Sequence, residues 1–169
     1  MFQTGRKRAR RISSRGTSLI ELIIVVLVMG ILAAAASPRF GKAIARAKSE
    51  SVARRVASDI NYARQVAMQT SLATSIQFTL SPAGYSMTNV AHPHHPTQSY
   101  AWSFSEIDSA VLMSSASFNS GTLLTFNAYG RPLAGSPIGA LTAGTVVVTF
   151  GTEQFTVTID PATGEASVP

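Results

Sequence analysis

The chain of 169 residues is predicted to be α+β, with a long N-terminal α-helix packed on a C-terminal head of antiparallel β-sheet. Three observations predict this. Residues 18–73 carry helix-favouring sequence with no strand-like alternation. After Ala73 the apolar period changes from three-or-four to two. From there on, short β-branched segments alternate with Gly/Pro/Asn turn signals.

The first half of the helix, residues 17–37, is apolar over residues 19–36, and Glu21 is the one interruption. Eighteen helical residues extend about 27 Å, close to the hydrocarbon thickness of a bilayer. Six of the fourteen basic residues precede the run: Arg6, Lys7, Arg8, Arg10, Arg11 and Arg15. Basic flanks stay on the cytoplasmic side, which predicts a single-pass membrane protein with a cytoplasmic N-terminus and everything after Pro38 exported. An ordinary cleaved secretory signal shares the basic and apolar regions and the small residues 33–37. A carboxylate within the apolar run and continued helical sequence beyond Pro38 oppose that reading. A charge at the centre of a membrane helix costs at least ~2.5 kcal/mol and calls for a partner or a route to the headgroups.

The second half, residues 38–73, starts at Pro38, which removes a backbone donor and should kink or loosen the helix. Phe40, Ile44, Val52, Val56, Ile60, Ala63 and Ala67 then recur at helical spacing, an apolar stripe expected to cover a sheet face. Residues 39–64 hold seven basic and two acidic side chains. They suit either a solvated face near anionic headgroups or packing against acidic heads of adjacent subunits.

The head, residues 74–169, opens with a hairpin: Ile76, Phe78 and Leu80 alternate, residues 81–84 turn, and the strand resumes at Tyr85. "AHPHHPTQ" reads as a loop, and "SYAWSF" and "AVLM" as short strands. "GTLLTF" runs into the turn "NAYGRP". "GTVVVTF" and "FTVTID" form a second hairpin, and "DPATG" turns into a last strand over residues 165–168.

Composition excludes several functions. The chain has no cysteine, hence no disulfide and no thiol chemistry. No nucleophile elbow and no phosphate-binding glycine loop occur, so no enzyme is expected. His92, His94 and His95 are the only candidates for a metal site, but three imidazoles between prolines do not define a geometry, and neither metal nor cofactor is expected. The net charge of +6 resides in the N-terminal block. From residue 74 on, Arg131 stands alone against Glu106, Asp108, Glu153, Asp160 and Glu165, which argues against nucleic acid as a partner.

The N-terminal pattern resembles the class III leader of type IV pilins and type II secretion pseudopilins: Gly16, then "TSLIEL", an apolar run, and Pro38. The resemblance implies a pilin-like fold and a leader of residues 1–16 removed by a prepilin peptidase between Gly16 and Thr17. It also implies N-methylation of Thr17, where the family usually carries Phe or Met. Glu21 becomes the fifth mature residue, which in the family registers an incoming subunit against the filament, and the new amine of a neighbouring subunit is its implied partner. Gly30 and Pro38 match positions of helix flexibility. "INYARQVAMQTS", "LTFNAYGRP" and "VTIDPATGEASV" resemble the GspH/FimT group of minor pseudopilins and minor pilins. The implied role is a minor subunit of a type II secretion pseudopilus, the alternative a minor pilin of a type IV pilus in assembly, adhesion or DNA uptake. The implied partners are the peptidase, other pseudopilins or pilins, an inner-membrane assembly platform and membrane lipid.

Overall fold

The computed structural model describes residues 18–92 and 95–169, with backbone alone for residues 35–39 and 96. Gly16, Thr17, His94 and the leader therefore lie outside the described residues. The chain divides into two units, Met1–Arg39 and Phe40–Pro169. Helix α1 spans Leu19–Thr70, beginning in the first unit and ending in the second. Its helical backbone continues through Gly30 and Pro38. It stops slightly before the expected end because Ser71 adopts φ 55°, a left-handed conformation that closes a helix C-terminus. Among the described residues no helix is long and apolar enough to cross a membrane.

Among the described residues ten strands follow: β1 Thr74–Leu80, β2 Ala83–His92, β3 His95–Ser103, β4 Val111–Phe118, β5 Leu123–Phe126, β6 Pro132–Ala134, β7 Gly139–Ala140, β8 Gly144–Phe150, β9 Glu153–Ile159 and β10 Ala166–Ser167. They make two antiparallel sheets, one ordered β3-β2-β1-β5-β6-β7 and the other β10-β9-β8-β4. The sequence led to one sheet face under the helix; the head has two sheets. The chain crosses between them after β4, where Asn119 and Ser120 both have positive φ. Phe118 and Gly121 exchange backbone hydrogen bonds of 2.8 and 3.0 Å across that reversal. Asn119 then fixes the β7–β8 connection, donating to Ala140 O at 2.9 Å and accepting from Thr142 N at 2.9 Å.

Burial follows the strand period. In β1 the buried residues are Thr74, Ile76 and Phe78; in β8 they are Gly144, Val146 and Val148. In β4 the phase changes, from Val111 and Met113 to Ala116 and Phe118, because a register shift between Met113 and Ser115 inserts one residue. Phe78 and Phe118 join the two sheets with ring centroids 5.1 Å apart. On α1, Val52, Val56, Ile60, Ala63 and Ala67 are buried as predicted. Phe40 and Ile44 are not part of that core: they are 67% and 55% exposed. Every buried hydrophobic residue described lies between Val52 and Ala166, so the Phe40–Pro169 unit holds its own core.

The histidine segment also differs from expectation. It is not a long loop but the end of the β2–β3 hairpin, with His92 paired to His95. Alternation of His and Pro hides a strand signal, since proline is read as a strand breaker yet is tolerated on an edge such as β3.

Candidate assembly site

The first unit offers an exposed apolar helix with one carboxylate. Leu19, Ile20, Leu22, Ile23 and Ile24 range from 53% to 75% exposed, and the apolar residues through Leu32 are exposed as well. Glu21 lies in the first turn of α1, where free backbone N–H groups and the helix dipole favour a negative charge. A Cβ on Gly30 would meet nothing within 4 Å, so no contact described within the chain demands glycine there. A helix apolar all round has its partners outside the chain, in lipid or in other helices.

The second unit fixes the C-terminal part of α1 to the head by polar clamps. The Asp59 carboxylate accepts hydrogen bonds from the Tyr85 and Tyr100 hydroxyls, the latter at 2.7 Å. Arg55 completes the cluster: its guanidinium lies 4.4 Å from the Trp102 ring centroid, donates to Tyr100 Oη at 3.5 Å and approaches Asp59 Oδ2 to 3.8 Å. Burial, and then the Asp59 charge, push the Tyr85 phenol far above its ordinary value. Burial and its hydrogen bond to Asp59 raise Tyr100 as well.

Two further clamps flank this one. Lys48 Nζ meets Asp108 Oδ2 at 2.5 Å, and the Lys48 hydrogen bond, with one from Ala110 N, holds the Asp108 carboxyl below its usual range. Asn61 acts as a strand partner on the other side: its amide donates to Ala166 O and its carbonyl accepts from Ala166 N, both at 2.9 Å. Sequence reasoning counted Lys48, Arg55 and Asp59 only among the charged side chains of residues 39–64, and it did not assign the clamps.

At the far end of α1, the segments "NAYGRP" and "DPATG" pack together. Asn127 Oδ1 accepts from Tyr129 N and Arg131 N, each at 3.0 Å, and Asp160 Oδ1 accepts from Ala162 N at 2.7 Å and Thr163 N at 2.8 Å. Gly164 has φ +73°, and a Cβ there would lie 2.9 Å from Gly130 O and from Phe126 Cε1. Tyr129 is 84% exposed beside the exposed Arg131. Tyr129 and the lone basic side chain of the head thus share a surface turn.

The imidazole centroids of His92 and His95 are 5.3 Å apart, and the His92 ring stacks on Tyr100 at 5.8 Å. Among the described residues no group of three or more His, Cys, Asp or Glu is placed to hold a metal.

A family model described as "Type II transport protein GspH" matches residues 52–163. A comparison with curated protein sequences gives no match. Similar solved structures include the type IV minor pilin FimU of Pseudomonas aeruginosa strain PAO1. Its P21 crystal form superposes with a TM-score of 0.50 at 20% identity, covering 73% of this chain and 90% of that one. Its P65 form gives 0.45 at 19% identity over 71% and 91%. At that identity the likeness to the P21 form is one of fold: an N-terminal helix on antiparallel sheet.

Proposed function

Because the chain belongs to the GspH family of type II transport proteins, we propose that it is a minor pseudopilin, a structural subunit of a type II secretion pseudopilus. It is not an enzyme. Its work is assembly with other pilins or pseudopilins into a filament. The observation that carries the reading is Glu21: an acid in the first turn of an exposed apolar helix, five residues after Gly16.

In this proposal a prepilin peptidase cuts between Gly16 and Thr17, and Thr17 is methylated. Residues 17–37 reside in the inner membrane, with the head exported, until an assembly platform transfers the subunit to the filament. Glu21 then pairs with the N-terminal amine of a neighbouring subunit, since an intramembrane carboxylate is costly and such groups usually pair. Gly30 and Pro38 lower the cost of unwinding the helix during extraction. Intact mass of the native product tests the reading. A mature chain starting at Thr17 is expected; a start near Pro38 would show an ordinary secretory signal and refute it. An E21A variant is expected to mature normally yet fail to enter filaments, and assembly at the parental rate would remove the role given to Glu21.

A second reading, a minor pilin of a type IV pilus in assembly, adhesion or DNA uptake, is supported in fold by the likeness to FimU. Arg131 alone neutralises about one phosphate, which gives weak nucleic-acid binding. Loss of secretion in a strain lacking the subunit, with surface pili intact, supports the first reading; the reverse phenotype supports the second.

A further inference from the structure

We propose that the free edge of β3, over Ser99–Ser103, docks one extended segment of a different pilin or pseudopilin, added as a further strand of the larger sheet. The inference rests on the reading of the chain as a filament subunit. β3 is the outermost strand of that sheet and, among the described residues, pairs with β2 alone. One row of its backbone N–H and C=O groups therefore faces outward, which is the template a further strand recognises. Ser99 and Ala101 are exposed, while Tyr100 and Trp102, in the alternate places, are buried.

Edges of this kind are normally blocked by charge, proline, bulges or brevity. The other edges of the two sheets follow that rule. β7 and β10 are two residues long, and β4 carries an inserted residue between Met113 and Ser115. The segment "SYAWS" of β3 has none of these devices: it holds no proline and no charge. No Asp, Glu, Lys or Arg occurs anywhere between Arg64 and Glu106, so β1 and β2 bring none to the edge either. The irregularity beside Ser99–Ser103 belongs to β2. Ser86 pairs with Ala101 and Ala91 with Ser99, so the extra residues lie between Ser86 and Ala91, where Asn89 has φ 63°. The second register shift falls before Ser99, between His95 and Ser99 of β3.

The occupant is not a second copy. Two copies joined β3 to β3 in the antiparallel sense are related by a two-fold axis perpendicular to the sheet, which reverses α1 between them. Subunits that enter one filament from one membrane run their helices in the same direction. A copy in the same orientation would offer β7, the opposite edge of the sheet, which is two residues long. An extended segment of another subunit type meets neither obstacle. Its side chains alternate, apolar ones beside Tyr100 and Trp102 and small uncharged ones beside Ser99, Ala101 and Ser103.

The full chain is produced in its native host with the photo-crosslinker p-benzoylphenylalanine at Ser99, Ala101 or Ser103, and the cross-linked peptides are sequenced by mass spectrometry. The expected result is a ladder: the three positions join residues spaced two apart along one segment of another filament subunit. The double change S99K/A101K adds to this edge the charge that guards other sheet edges. Both positions are exposed, so the melting temperature should hold while the ladder yield falls about tenfold. Cross-links to scattered residues, to another copy of this chain or to nothing, in a subunit that still enters filaments, overturn the docking site. An unchanged ladder in S99K/A101K does the same. A mature chain that starts near Pro38 refutes the filament reading and the docking site with it, and the intact mass of the same sample tells the two failures apart.

Discussion

Replacing Asp59 by alanine should loosen the head from α1 more than any other single polar change in the Phe40–Pro169 unit. The carboxylate accepts from two phenols whose residues are 4% and 6% exposed, Tyr85 and Tyr100. A hydrogen bond to a charged group contributes about 1.5–3 kcal/mol, and an orphaned buried hydroxyl costs a similar amount. Two such bonds give a gross loss of roughly 3–6 kcal/mol. The lower end is expected, since the Asp59 side chain is 17% exposed and water can enter the vacated space. The expectation is about 3 kcal/mol, or roughly 10 °C in melting temperature for a unit of this size. Urea unfolding of the soluble Phe40–Pro169 unit reads it. D59N, which keeps one acceptor and the volume, should lose about half as much. A double-mutant cycle between D59A and Y85F should show coupling above about 1 kcal/mol, because both changes break the same bond. A D59A unit within 1 kcal/mol of the parent, or a cycle that is additive, would refute the clamp.

The pH dependence should have two limbs. Asp108 has a depressed carboxyl, so its contribution is complete above the unfolded value near 4 and is lost as pH falls through the lower folded value; D108N should flatten the acid side of a stability profile. Tyr85 has a raised phenol, so its contribution is complete below pH about 10 and falls above it by about 1.4 kcal/mol per pH unit, a slope that Y85F should reduce. At Gly164, alanine combines a left-handed φ of +73° with contacts of 2.9 Å, and thermal unfolding should show a loss near 3 kcal/mol. Gly151, at φ +60° with open space around its Cβ site, is the control and should lose roughly 1 kcal/mol on change to alanine.

Local periodicity made the long helix, most strands and the β1–β2 and β8–β9 hairpins readable before any coordinates, but not the β2–β3 hairpin. It could not say how much of the helix the head covers. Phe40 and Ile44 were counted into the stripe of Val52, Val56 and Ile60, but at 100° per residue they lie 80° or more round the helix from it, on a face the head leaves exposed. Short strands escaped for a local reason: β6 begins at Pro132, and β7 is two residues long. In β4 the inserted residue breaks the alternation on which the strand reading depends. Of the proposed assembly site, the sequence offers Glu21 and its offset from Gly16, which lie in one short stretch.

The clamps were hidden by distance along the chain: Asp59 meets Tyr85 and Tyr100 across 26 and 41 residues, and Asn61 meets Ala166 across 105. One signal was nevertheless present. At 100° per residue, Lys48, Arg55 and Asp59 fall within about 20° of a single line along the helix, bordering the stripe of Val52, Val56 and Ala63. Asn61 borders it on the opposite side, past Ala53 and Ala57. Polar side chains on both borders of a buried stripe meet the rims of whatever covers it, and here the two borders meet different sheets. Asp59 holds β2 and β3 of the larger sheet, and Asn61 holds β10 of the smaller. A helix clamped to both sheets cannot roll on either, so the head sits in one rotational setting on its half of α1. A fixed setting of this kind suits a subunit that assembles with other pilins or pseudopilins.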